Sequence, residues 1–180
     1  MSRTYKINIA GLERELPLCP INDKIEIGAF VMFSDVELTV ACAEKLLEKC
    51  GDFDVILTAE SKGIPLAYEM ARQCGKPYVV ARKSVKLYMT NPVTVDVKSI
   101  TTANNQKLSL SEEKAGMLRG KKVLLLDDVI STGESLTALE KLTTASGGEI
   151  AGKASVLAEG DASERDDIIF LEKLPLFFKN

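Results

Sequence analysis

The sequence predicts a parallel α/β sheet, and three observations predict it. Short apolar runs (Val55–Leu57, Tyr78–Val80, Val123–Leu126 and Ile150–Ala158) alternate with helical patterns. Glycines close the helical patterns at Gly51, Gly75 and Gly147-Gly148. Strand and helix recur at roughly 25 residues per unit, the spacing of right-handed crossovers. In such sheets ligands bind at the carboxyl ends of the strands. Three of those ends carry polar or charged clusters: Glu60-Ser61-Lys62-Gly63, Arg82-Lys83 and Asp127-Asp128.

In chain order, Tyr5, Ile7 and Ile9 alternate with polar residues, predicting a half-buried strand that Gly11 interrupts. Glu15–Pro20 and Lys24–Met32 read as further extended segments, with Asn22-Asp23 as a turn. This opening is expected to form a small subdomain beside the main sheet, with Phe33 in the core. Ser34-Asp35-Val36-Glu37 has the form of a capping box. Val36, Val40, Ala43 and Leu47 then recur at helical spacing up to about Lys49. Pro65 suits the first turn of a helix that reaches Cys74.

Val93, Val95 and Val97, then Leu108 and Leu110, alternate with polar residues around a polar stretch, Ser99–Asn105. That pattern reads as a β-hairpin or a long mobile excursion. Ser111 and Lys114–Leu118 predict a short helix, and a longer one runs from about Ser135 to Ala145. The apolar tail Ile168–Phe178 is expected to pack back on the domain, against the N-terminal subdomain.

Composition narrows the chemistry. The 180 residues fit one domain with a sizeable core, and the net charge of −3 argues against a general nucleic-acid surface. There is no apolar run of membrane-spanning length and no signal-peptide pattern. The chain has no histidine, which excludes a histidine base and makes a zinc site improbable. Cys19, Cys42, Cys50 and Cys74 form no C-x-x-C pair and read as buried or half-buried thiols of a reducing cytoplasm.

The most informative stretch is VLLLDDVISTGES, Val123–Ser135. An apolar run of four residues reads as a strand buried on both faces. Asp127 and Asp128 are poor strand residues and are expected where the strand ends, facing a cleft, where they can bind hydroxyls or a metal-bound ligand. Ser131, Thr132, Gly133, Glu134 and Ser135 make a hydroxyl-rich turn before a helix, and its free N–H groups suit a phosphate. Ser61, Lys62 and Gly63 offer a second anion-holding turn; Arg82, Lys83 and Lys86 form a third, cationic cluster. No G-x-x-x-x-G-K-[ST] loop is present.

Val123–Ser135 resembles, at every position, the 5-phosphoribosyl-1-pyrophosphate (PRPP) motif of type I phosphoribosyltransferases. TAESKGIPLAYEMA, ARKSVK and SVLAEGDASER are similar to the adenine/xanthine phosphoribosyltransferase group and to the effector domain of the purine operon repressor. The resemblance covers roughly Phe53–Lys173. It implies a doubly wound, mainly parallel sheet with a small hood: residues 1–33 and 159–180 as hood, 34–158 as core, in one domain. It also implies Mg²⁺-PRPP as ligand, a purine base as acceptor and a homodimer, with no nucleic acid and no membrane partner. On the same grounds Asp127 and Asp128 would bind the ribose hydroxyls, and Ser131–Ser135 the 5-phosphate. Ser61, Lys62 and Gly63, with Arg82, Lys83 and Lys86, would face the pyrophosphate, and Mg²⁺ would arrive with PRPP. Lys62 stands where the family usually has arginine, keeping the charge but losing the bidentate fork.

The expected activity is transfer of 5-phosphoribosyl from PRPP to adenine or xanthine in purine salvage, in the cytoplasm. The alternative is a catalytically silent, PRPP-binding regulator. Adenine-specific members carry an E-Y-G-type sequence in the mobile loop. Lys98–Asn105 has no glutamate and resembles the polar loop of the xanthine enzymes and the repressor. Phe33 and Glu159-Gly160-Asp161 are the other positions expected to bear on the choice of base.

Overall fold

The computed structural model describes residues 3–97 and 106–179. The chain opens with an antiparallel meander of β1 (Thr4–Ile9), β2 (Leu12–Pro20) and β3 (Ile25–Gly28). Ala10 and Gly11 join β1 to β2 with φ of 53° and 86°, the two positive values a tight two-residue hairpin needs. Helix α1 (Val36–Lys49), β4 (Val55–Ala59), α2 (Ile64–Cys74) and β5 (Tyr78–Ala81) follow. Then come β6 (Val93–Val97), β7 (Gln106–Leu110), α3 (Glu112–Gly116), β8 (Lys122–Ile130), α4 (Glu134–Ala145) and β9 (Glu149–Glu159). A short 3-10 helix (Gly160–Glu164) leads to β10 (Ile169–Leu174) and β11 (Phe177–Phe178).

The central sheet has the order β10-β9-β8-β4-β5, and every neighbouring pair is parallel. From β4 the chain builds outward to β5, then returns past β4 and builds the other way through β8, β9 and β10. The order therefore reverses between β4 and β8, which makes the sheet doubly wound and opens a crevice at their carboxyl ends. Side-chain alternation gives the sheet two cores. Ile56, Leu124 and Leu126 point to one face, under Leu38, Cys42 and Leu46 of α1 and Leu66 and Met70 of α2. Leu57, Val123 and Leu125 point to the other, under Leu136, Leu139 and Leu142 of α4 and Leu108 and Leu110 of β7.

Several local expectations are corrected. Helix α1 is capped by Asp35, whose carboxylate accepts the Leu38 N–H at 3.1 Å, and not by a Ser34–Glu37 box. Arg14 on β2 explains the change: Nε donates to Asp35 at 2.7 Å and Nη2 to Glu37 at 2.9 Å, drawing Glu37 away from the helix start. The buried face of α1 is Leu38, Thr39, Cys42, Ala43 and Leu46, while Val36 is 73% exposed and Val40 38%. Phe33, expected in the core, is 48% exposed. Cys19 is exposed rather than buried, Cys42 is buried, and Cys50 and Cys74 are half-buried; all four are free thiols.

The tail also divides. β10 joins the central sheet beside β9, and only β11, beyond Pro175, pairs with β3 of the N-terminal sheet. β6 and β7 form an antiparallel hairpin, tied to the end of β5 by an Arg82–Ser109 bridge. The polar stretch between them, Lys98–Asn105, lies outside the described residues. Among the described residues no helix is long and apolar enough to cross a membrane.

Candidate functional site

The crevice between β4 and β8 opens into a cavity of about 400 Å³. Its floor comes from the ends of these two strands. β8 does not stop at the acidic pair, as the sequence suggested, but continues in register with β9 through Ile130. Asp127 and Asp128 are therefore held by the sheet ladder: Asp127 opposes Ser155, and Asp128 is buried. The Asp128 N–H donates to Asp127 Oδ1 at 2.9 Å. Asp128 Oδ2 is buried without a partner among the described residues. Burial, and then the neighbouring Asp128 charge, holds the Asp127 carboxyl well above the usual carboxylate range. Burial raises Asp128 too, against the opposing pull of its bond with Asp127 and of Lys62.

The turn after β4 is fixed from two sides. The Glu60 N–H donates to Ala81 O at 2.8 Å, and the Glu60 carboxylate accepts the Lys83 N–H and Arg82 Nε, each at 3.1 Å. The Lys83 N–H bond, together with the Arg82 and Lys86 charges, keeps the Glu60 carboxyl below its ordinary value. The Glu60–Ser61 peptide is cis. Gly63 sits beneath the turn as N-cap of α2, with Asp127 Cα only 3.5 Å from where its Cβ would be. Thr58, fully buried on β4, presses on the same point, and its hydroxyl has no partner among the described residues.

The turn after β8 leads into α4, whose N-cap is Gly133 at φ 80° with no side chain capping the helix. Its N-terminal amides thus lack a side-chain acceptor from the cap residue. Ser131 and Ser135 line the main cavity, while Thr132, Gly133 and Glu134 complete an adjoining hollow of about 50 Å³.

Of the sequence-predicted residues, the fold brings Ser61, Lys62, Lys83, Asp127, Asp128, Ser131 and Ser135 to one cavity wall. Gly63 lies below that wall. Arg82 is turned onto Glu60, and Lys86 Nζ donates to Ser84 Oγ at 2.7 Å, so neither faces the cavity.

The opposite wall is formed by Ile27 and Gly28 at the end of β3, Ala29 and Phe30 just beyond it, and Glu159 and Leu174. Sequence reasoning missed the Ile27–Phe30 and Leu174 part. The one local hint was Gly28, whose Cβ would stand 3.2 Å from Leu174 Cδ1. Glu159 is half-buried, and burial raises its carboxyl above the ordinary value, with Lys62 opposing. The Lys62 charge opposes the rise at all three carboxyls, Asp127, Asp128 and Glu159.

Comparison with known proteins agrees with this architecture. Residues 37–175 match the model of the phosphoribosyl transferase domain. A xanthine phosphoribosyltransferase of an Exiguobacterium species is 32% identical, over 81% of this chain and 76% of that protein. A hypoxanthine/guanine phosphoribosyltransferase of Methanothermococcus okinawensis is also 32% identical, over 85% of this chain and 84% of that protein. In fold the chain is similar to the crystal structure of adenine phosphoribosyltransferase from Thermoanaerobacter pseudethanolicus. Its TM-score is 0.74 at 21% identity, covering 88% of this chain and 95% of that one. A parallel sheet wound from β4 and β8, and a sequence match running from α1 to the end of β10, place this chain in the phosphoribosyl transferase domain family.

Proposed function

We propose that the protein is a purine phosphoribosyltransferase that transfers 5-phosphoribosyl from PRPP to a purine base, adenine or xanthine, releasing pyrophosphate in a salvage reaction. The observation that carries this reading is the joining of three anion- or hydroxyl-binding elements at one topological switch point. The uncapped start of α4 with Ser131–Ser135 would take the 5-phosphate. Asp127 and Asp128 would accept hydrogen bonds from the ribose hydroxyls, giving the orphan Asp128 Oδ2 its partner. Ser61, Lys62, Gly63 and Lys83 would face the pyrophosphate, with Arg82 and Lys86 behind them as more distant cations.

The wall of Ile27–Phe30, Glu159 and Leu174 would receive the base. We assign residues 1–33 and 159–180 to a hood over a core of residues 34–158, with β10 as the strand that the hood shares with the sheet. Catalysis on this scheme is positioning plus charge stabilisation: the base nitrogen attacks the anomeric carbon as the pyrophosphate bond breaks. Lys62 stabilises the leaving charge, and the sheet-held carboxylates fix the ribose.

Among the described residues no group of three or more acidic or thiol side chains could hold a metal alone. The acidic Asp127–Asp128 pair, with Asp128 Oδ2 partnerless among the described residues, fits Mg²⁺ carried in by PRPP, held through hydroxyls or water. The ion would neutralise pyrophosphate charge. We infer a cytoplasmic homodimer. Val85, Leu87 and Tyr88 are exposed apolar side chains around Lys86, a surface suited to a second copy, and sedimentation tests it.

The deciding experiment is pyrophosphate release from PRPP with adenine, xanthine, hypoxanthine, guanine, uracil and orotate. Turnover is expected with a purine only. Tight PRPP binding without turnover on any base would instead establish the silent regulator.

A further inference from the structure

The hollow that would take the 5-phosphate has a charge problem of its own. It is lined by Asp127, Val129, Ile130, Ser131–Ser135 and Leu136, with no lysine or arginine among them. The start of α4 supplies only about half a positive charge. Lys62 lines the main cavity and not this hollow.

A cation does stand against this loop, at Gly133. A Cβ built on Gly133 would lie 2.9 Å from Arg165 Nη1. Two other guanidinium nitrogens are committed: Nε donates to Asp167 Oδ1 at 2.8 Å and Nη2 to Asp167 Oδ2 at 2.7 Å. Asp167 accepts in turn from Lys153 Nζ at 2.8 Å, and Lys153 pairs with Glu140 of α4 at 2.6 Å. The chain of charges leaves α4 at Glu140, crosses β9 at Lys153, and returns to the N-cap of α4 at Gly133. Nη1 itself makes no hydrogen bond among the described residues. The bidentate grip of Asp167 fixes the plane of the guanidinium, so little side-chain freedom is left to lose when Nη1 takes a ligand.

We propose that Arg165, held in place by Asp167, is the cation for the 5-phosphate, donating from Nη1 to the anion seated in the Ser131–Ser135 loop. The inference rests on the reading of that loop as a phosphate site. It also gives Gly133 a second role besides its positive φ, because any side chain there would displace the guanidinium.

Two ligands separate this inference from the reading beneath it. Ribose 5-phosphate carries only the 5-phosphate, and inorganic pyrophosphate carries none. Titration calorimetry of the whole protein with each, for wild type, R165Q, R165K and D167N, is the test. R165Q is expected to weaken ribose 5-phosphate about 10- to 100-fold, the worth of a charge-assisted hydrogen bond, and to leave pyrophosphate within about twofold. R165K should recover part of the loss, and D167N should fall between wild type and R165Q. In turnover, KM for PRPP should rise with kcat little changed.

Equal weakening of both ligands would mean a merely structural role and would overturn the proposal, as would unchanged ribose 5-phosphate binding in R165Q. Should R165Q not fold, R165K and D167N read the same difference between ligands. Wild type that binds neither ligand would overturn the phosphate-site reading along with it.

Discussion

Replacing Gly63 with alanine should damage the protein through a single contact, and that contact can be relieved from the other side. Gly63 has φ −72°, which any residue adopts, so the substitution carries no backbone penalty of the left-handed kind. The added methyl would instead collide with Thr58 Oγ1, with Asp127 Cα and Oδ1 next at 3.5 Å. Thr58 is fully buried on a strand between two parallel neighbours and cannot retreat. The turn must lift, carrying Ser61 and Lys62 with it. Overpacking of this kind costs about 1–3 kcal/mol, and displacing an anion-binding turn by a few tenths of an ångström costs about tenfold in pyrophosphate affinity.

Thr58→Ala removes the obstructing oxygen. Alone it should be nearly neutral, within about 1 kcal/mol, because it loses a methyl contact but also a buried hydroxyl that has no partner. The double variant should therefore resemble Thr58→Ala. Urea unfolding of the four proteins should give a coupling energy of about 1–3 kcal/mol in favour of the double variant. Additivity to within about 0.5 kcal/mol would refute the steric account.

Asp127→Asn should stabilise the protein at neutral pH while weakening PRPP binding. The raised folded-state pKa of Asp127 means that its ionisation opposes folding. The stability gap between variant and wild type should accordingly vanish below the ordinary carboxyl value of 3.8, grow as pH rises, and level off above the folded value. Melting curves across pH check the sign, and a gap that widened towards acid would contradict it. Leu46→Ala should cost about 2–5 kcal/mol and Val36→Ala within about 0.5 kcal/mol, a contrast that urea unfolding resolves and that tests which face of α1 is buried. Lys62→Met should weaken pyrophosphate about 10- to 100-fold by calorimetry and raise the apparent pKa of the acidic pair further, since Lys62 opposes that rise.

The elements that sequence reading located are those whose signals are local. The apolar run of β8 and Gly75 at φ 70° closing α2 act within a few residues, and both are found where expected. The acidic pair and the turns after β4 and β8 are legible for the same reason: each is a contiguous string. What failed depends on partners far along the chain. Helix α1 carries two interleaved apolar sets, Val36/Val40 and Leu38/Cys42/Leu46, and its packing on α2 and the central sheet selects between them. Its cap is decided by Arg14, 21 residues upstream. The far cavity wall joins Ile27–Phe30 to Leu174, a pairing that no local pattern announces.

That far wall has a consequence for how the protein is made. Leu174 meets Gly28, and Phe177 and Phe178 pair with Glu26 and Ile25. During synthesis, β4 and its acidic neighbour β8 emerge and can pair before any of residues 169–178 exists. The floor of the crevice is thus built from strands made earlier, and the enclosure above it needs β10 and β11, which the ribosome delivers last. A nascent chain arrested before Leu174 would present an open floor with buried carboxylates but no roof to exclude water.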